Sequence, residues 1–306
     1  MKFLYMLALA FILSSSSKAQ ITLVKQKKLM GKVKLSTSAS YKAVIRLDKV
    51  EKGEKLAGDR RIQYDKRGNE IERKNYDING GLVWKYTTEY DTSGNKIEYI
   101  CYQPNESPSL VFKTNYTYDI NGNRILLERA NPSYPEYGWN YIYSYDNQGN
   151  RIEFNDFSKD GSLNSRKTYK YDAQGNAIEF HRFNADGSLD SRSTYKYDTK
   201  GNKIESNSFE ADGSFDARYT YKYDMQGNET EKSSFKANGS LSWKKTYAYD
   251  LKGNKVLYKR YKANGDLKSS MSWEYTYDQQ GNWTKQIKFK NKIAQEITER
   301  TFEYYN

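Results

Sequence analysis

The 306-residue chain has one cysteine, one histidine and four prolines, and leucine, alanine and valine are sparse. A lone Cys101 excludes an intrachain disulfide framework. A lone His181 excludes His-rich metal sites and most histidine-based relays. The shortage of leucine and alanine argues against packed amphipathic helices. What is plentiful is tyrosine, 30 residues, together with Asn, Gly, Ser and Thr. That mixture suits strands and tight turns. It is also too aromatic for a disordered chain.

The one apolar run lies at the start. Residues 1–19 read MKFLYMLALAFILSSSSKA, with a lysine, an apolar stretch from Phe3 to Leu13 and small residues before Gln20. This is the pattern of a Sec-type signal peptide, cut before Gln20. The stretch is too short to span a bilayer as an ordinary helix. The chain is therefore expected to be exported to a periplasm or the cell surface, with no transmembrane anchor. Net charge is +12, and removing Lys2 and Lys18 with the leader leaves about +10. The charge is evenly spread, as expected for a solvated sheet surface. It also admits a polyanionic partner.

The string Y-D-x-x-G-N recurs nine times, its aspartates running from Asp65 through Asp91, Asp119, Asp146, Asp172, Asp198, Asp224 and Asp250 to Asp278. The intervals are 26 to 28 residues. Periodicity of this kind marks a repeat architecture. In the unit from Leu189, Asp198-Thr199-Lys200-Gly201 reads as a type I turn closed by a glycine bulge. Glu210-Ala211-Asp212-Gly213 reads the same way, so each unit is a pair of antiparallel strands. The turns pair Tyr197 with Lys203, Tyr195 with Glu205 and Phe209 with Phe215. They place Leu189, Tyr195, Tyr197 and Phe209 on one face, and Arg192, Thr194, Lys196 and Ile204 on the other. The phenylalanine pairing recurs as Phe157–Leu163, Phe183–Leu189, Phe235–Leu241 and Tyr261–Leu267. The fold expected is all-β: tandem hairpins of about 26 residues forming a long twisted or spiralling sheet, curled to shield its aromatic face. Residues 20–60 lack the motif and read as an N-terminal capping segment, with Ile21–Val24 and Tyr41–Leu47 as capping strands. The array occupies 61–306.

The motif Y-x-Y-D-x-x-G-N resembles the YD repeat of the RHS family, over about residues 62–305. The resemblance implies a spiralling sheet, often a shell, and in some members carbohydrate binding. Here Asn follows the motif glycine in every copy, where many family members have Arg. A second D-G-S or N-G-S turn lengthens the unit, and the F-x-x-D-G-S-L half resembles MORN-type hairpin repeats. No toxin domain is expected after the array.

No pair of carboxylates stands out for acid–base work, so no catalytic residue is expected. One Asp and one Asn per turn are too few for calcium, which takes six to eight oxygens. No cofactor or metal is expected. Two loops hold all the prolines, Gln103–Ser109 with Pro104 and Pro108, and Asn131–Trp139 with Pro132 and Pro135. The second carries Tyr134, Tyr137 and Trp139. Aromatic loop residues on a rigid scaffold are candidates for recognition. Trp84 and Trp243, each seven residues before a turn aspartate, are candidates for stacking sugars. The recurrent tyrosine pairs read as sheet core instead. The functional expectation is an exported, non-enzymatic scaffold or binding protein of the cell envelope or extracellular space. The alternatives are a carbohydrate-binding module and a shell fragment of an RHS-type toxin. Expected partners are a polysaccharide or another envelope polyanion, or a protein; nucleic acid is disfavoured.

Overall fold

The computed structural model describes residues 29–104 and 109–306. The leader, the Ile21–Val24 segment and Pro108 lie outside the described residues. Among the described residues there are 21 strands and one short 3-10 turn, Pro135–Tyr137. Each Y-D-x-x-G-N motif makes a hairpin turn, and the geometry at Asp198 explains every letter of it. The Asp198 N–H donates to the Asn202 carbonyl (2.9 Å), and the Gly201 N–H donates to the Asp198 carbonyl (3.0 Å). Gly201 sits at φ +81°, a conformation that costs a side chain dearly. Asp198 Oδ1 accepts from the N–H of Lys200 and of Asn202, at 2.9 and 2.8 Å. Its Oδ2 accepts from the Asn202 side-chain amide at 2.9 Å. The motif asparagine is thus the partner of the motif aspartate.

The tyrosine before that aspartate clasps the preceding unit. Tyr197 Oη donates to the Ala177 carbonyl at 2.7 Å, and Tyr171 and Tyr223 do the same to Arg151 and Lys203, at 2.7 and 2.9 Å. One side chain therefore carries each hairpin to its neighbour. Tyr197→Phe should cost about 1 kcal/mol of unfolding free energy, the net worth of one such bond. Tyr137→Phe, whose ring is exposed, should leave the urea midpoint unchanged. Equal effects from the two would refute the clasp.

The register departs from the expected one by a bulge in each hairpin arm. Strands β13 (Leu189–Tyr197) and β14 (Lys203–Glu210) pair Tyr197 with Lys203 as expected, but Lys196 with Glu205 and Tyr195 with Ser206. Ile204 is the extra residue. Phe209 consequently lies across from Arg192, on the face opposite the tyrosines. Its expected pairing with Phe215 holds, with ring centroids 5.5 Å apart. Phe157–Leu163, Phe183–Leu189, Phe235–Leu241 and Tyr261–Leu267 also pair as expected.

The larger correction concerns the sheet as a whole, which is a closed antiparallel barrel and not an open or spiralling sheet. Strand β1 (Val33–Arg46) pairs along one edge with β21 (Ile293–Tyr304), matching Thr37 to Thr301 and Tyr41 to Ile297. Along its other edge it pairs with β3 (Arg60–Tyr64) and, past Tyr41, with β2 (Lys49–Lys55). Because β2 and β3 share one edge of β1, the 21 strands make a ring of 20 staves. An all-antiparallel ring needs an even number, and this one has it. The last residues complete the seam: Tyr305 Oη donates to the Tyr64 carbonyl at 2.6 Å, and its N–H to the Lys32 carbonyl at 2.8 Å.

Every substantial strand contact is between ring neighbours, so no second layer crosses the interior. Twenty staves at about 4.8 Å give a ring about 30–40 Å across, too wide for side chains to fill. Only six apolar residues among the described residues are buried, including Cys101, Tyr143 and Ile297, as a single-layer wall requires. Among the described residues no helix is long and apolar enough to cross a membrane.

Candidate functional site: the inner wall of the barrel

The tyrosine face is the enclosed one. On it, burial dominates protonation: it pushes the amines of Lys96, Lys203 and Lys255 down and the Glu229 carboxyl up. It also raises the Tyr171 and Tyr197 hydroxyls to about 12. On the opposite face, Glu179 and Glu205 are held low, first by hydrogen bonds from Lys170 and Lys196. Those lysine side chains are 66% and 68% exposed, which places them on the outside.

The two walls also differ in how charge is satisfied. Outside, cations pair with carboxylates across neighbouring strands: Lys170–Glu179, Lys196–Glu205 and Lys222–Glu231, each at 2.9 Å. Inside, cations lie over tyrosine rings. Arg124 sits 5.7 Å from the Tyr116 centroid and 4.8 Å from that of Tyr143; Arg151 sits 5.8 Å from Tyr143 and 4.8 Å from Tyr169. Lys203 lies between Tyr195 and Tyr221, and Lys255 lies over Tyr247 at 4.4 Å. Lys96, Arg124, Arg151, Lys203 and Lys255 all occupy the position five residues after a turn aspartate. They form a cationic girdle at one level of the wall, broken at the same position of the other units by Glu70, Ala177, Glu229 and Trp283. Sequence reasoning missed it, although the basic residue after the motif asparagine was visible. The expected pairing of Tyr197 with Lys203 already puts this position on the tyrosine face.

The candidate residues named from sequence do not converge. Trp84, Trp139 and Trp243 occupy the same position, seven residues before a turn aspartate, on β5 (Leu82–Tyr90), β9 (Trp139–Tyr145) and β17 (Leu241–Tyr249). They stand four and eight staves apart, roughly 19 Å or more at the strand spacing. Each joins the aromatic lattice: Trp84 stacks with Tyr86 (6.5 Å), Trp139 with Tyr141 (4.1 Å), and Trp243 lies 6.2 Å from Tyr219. Tyr134 and Tyr137 are separate from these. Tyr134 precedes the 3-10 turn and Tyr137 ends it, 57% and 68% exposed, with ring centroids 5.9 Å apart. His181 lies against Glu179 at 3.2 Å on the outer surface. Among the described residues no three His, Cys, Asp or Glu side chains gather in a metal-holding group.

No family model matches the chain. No curated protein matches it either. Among solved structures it is similar to the Tc holotoxin pore of Photorhabdus luminescens, at 11% identity over 82% of this chain and TM-score 0.36; it spans 18% of that chain. It is similar to a TcdB2–TccC3 complex at 12% identity over 84% of this chain and 19% of that one, TM-score 0.31. It is also similar to a porin-like protein from Bacteroides uniformis at 10% identity, over 91% of this chain and all of that one, TM-score 0.37. The likeness is one of β-rich sheet architecture, and scores of this size assign neither family nor function.

Proposed function

We propose that this chain is an exported, non-enzymatic YD-type repeat barrel that holds an extracellular or envelope ligand against its inner wall. The observation that supports this most is the division of labour between its surfaces. Carboxylates neutralise the outer cations pair by pair, while the inner wall has few carboxylates, Glu70 and Glu229 among them, and most of its cations lie over aromatic rings facing the hollow. An aromatic wall edged with cations suits a polar, ring-bearing or anionic ligand. Both surfaces carry charges in mid-strand, as Lys167 inside and Arg192 outside illustrate. A lipid-spanning barrel needs an apolar outer band, so this surface is fit for water.

Carbohydrate is the ligand class favoured by the exposed Tyr134–Tyr137 pair and by the inner tryptophans, since sugar rings stack on such faces. Retention on immobilised polysaccharides tests it. The mature protein should be retained by at least one polymer, and a Tyr134→Ala/Trp139→Ala variant should elute at least fivefold more readily if the loop takes part. No retention across a broad panel would remove the carbohydrate reading.

The reading as a shell fragment has less support. The two edges of the sheet are spent on each other at the β1–β21 seam, leaving no free edge there to continue a spiral.

A further inference from the structure

Where the ring closes, the inner wall holds a cavity of about 910 Å³. Its lining includes seven basic residues and one acidic residue, Glu70. The whole chain has 50 basic to 38 acidic residues, so this enrichment is local. Four of the cations stand on the wall itself: Arg60, Arg73, Lys96 and Arg300.

Each is fixed. Arg73 is paired with Glu70 at 2.8 Å, yet its Nε is buried with no hydrogen-bond partner. Arg300 lies 3.5 Å from the Trp283 ring centroid and donates Nε and Nη2 to the Trp283 carbonyl at 3.0 and 2.8 Å. Lys96 lies 5.1 Å from the Tyr99 centroid. Burial, then repulsion from Arg73 and Arg124, push the Lys96 amine down, although Glu70 opposes them. Burial lowers Arg300 to about 10. These cations are held together with too little negative charge beside them, the electrostatic signature of an anion receptor.

We propose that the seam cavity binds an oxyanion, the carboxylate or phosphate group of the ligand held by the barrel. This rests on the reading of the inner wall as a binding surface and adds the chemistry of one end of the ligand. Guanidinium forks take such groups in two parallel hydrogen bonds. Glu70 limits the site to one anionic group at a time by repelling a second.

The test is equilibrium binding of three labelled probes to the mature protein: oligogalacturonate for a carboxylate, polyglycerol phosphate for a phosphate, and dextran as the neutral polymer. The expected result is binding of at least one anionic probe, weakened tenfold or more between 50 and 500 mM salt, and no binding of dextran. Lys96→Gln with Arg60→Gln should weaken it at least tenfold. Lys196→Gln, on the outer wall, should change it less than twofold. Glu70→Gln should strengthen it severalfold, a gain that a misfolded variant would not give.

Which anionic probe binds identifies the source of the oxyanion. Equal loss from Lys196→Gln overturns the seam assignment and with it the inner-wall reading. Dextran binding as tightly as the anionic probes overturns the oxyanion proposal alone. Failure of all three probes overturns it together with the inner-wall reading for these ligand classes.

Discussion

Cysteines introduced by Ser40→Cys and Thr298→Cys should oxidise to a disulfide that staples the first strand of the ring to the last. The two residues are directly paired, and their hydroxyls lie 3.0 Å apart across the seam. That separation suits the short reach of a disulfide. In an open sheet of the same strands, the two positions would be roughly 90 Å apart at the usual strand spacing. The crosslinked protein should migrate faster on a non-reducing denaturing gel and revert with reductant. The bond would close a loop of about 260 residues, so the loop-entropy account allows stabilisation of up to about 5 kcal/mol. Cys101 is buried and should not compete. If only intermolecular crosslinks form, the ring is not closed.

Acid should unfold the barrel over a narrow range beginning near pH 4. Eleven turn aspartates have carboxyls held below the usual range: eight in the Y-D-x-x-G-N turns and Asp160, Asp186 and Asp212 in the second turns. For Asp198 the cause is the Asn202 side-chain amide, followed by the N–H groups of Asn202 and Lys200. For Asp172 burial pushes upward, and the amide bonds outweigh it. A carboxyl whose pKa is lowered by folding stabilises the fold above its unfolded value, about 3.9. That contribution is lost as pH falls through the folded value. Stability should therefore change little between pH 7 and 5 and fall steeply below about pH 4. An unaltered melting temperature at pH 3 would show that these bonds contribute nothing. The steepness comes from repetition, since the same proton is added at turn after turn.

The local structure was legible because the turn motif states its own chemistry. Asp198 and Gly201 pointed to the hairpin, and Tyr197 with Lys203 to its register near the turn. Beyond Ile204 the reading drifted by one residue. A bulge leaves little trace in sequence, and one extra residue exchanges inside for outside. That is why Phe209 was placed with the tyrosines. Closure was not legible either. A periodic sequence describes one step of the sheet, while the total turning over 20 staves decides whether its edges meet. The segment that meets the last strand, Ser36 to Ser40, carries no motif and fell within residues 20–60, read as a capping segment. The candidate ligand residues were found as aromatics but not as neighbours, because Trp84, Trp139 and Trp243 are brought to one level of the wall and not to one place.

The seam has a kinetic consequence. Each hairpin joins residues a few positions apart in the chain and can form on its own. The bond between Ser40 and Thr298 joins residues 258 positions apart. Contacts that distant form slowly, because the loop must close before they reward it. The hairpins should therefore assemble as a linear array whose end units fray, as they do in any solenoid. Once Tyr305 reaches Tyr64, every stave has two neighbours and no unit is terminal. Loss of structure then has nowhere favoured to start, and the barrel should persist for a time set by the opening of one pair of strands.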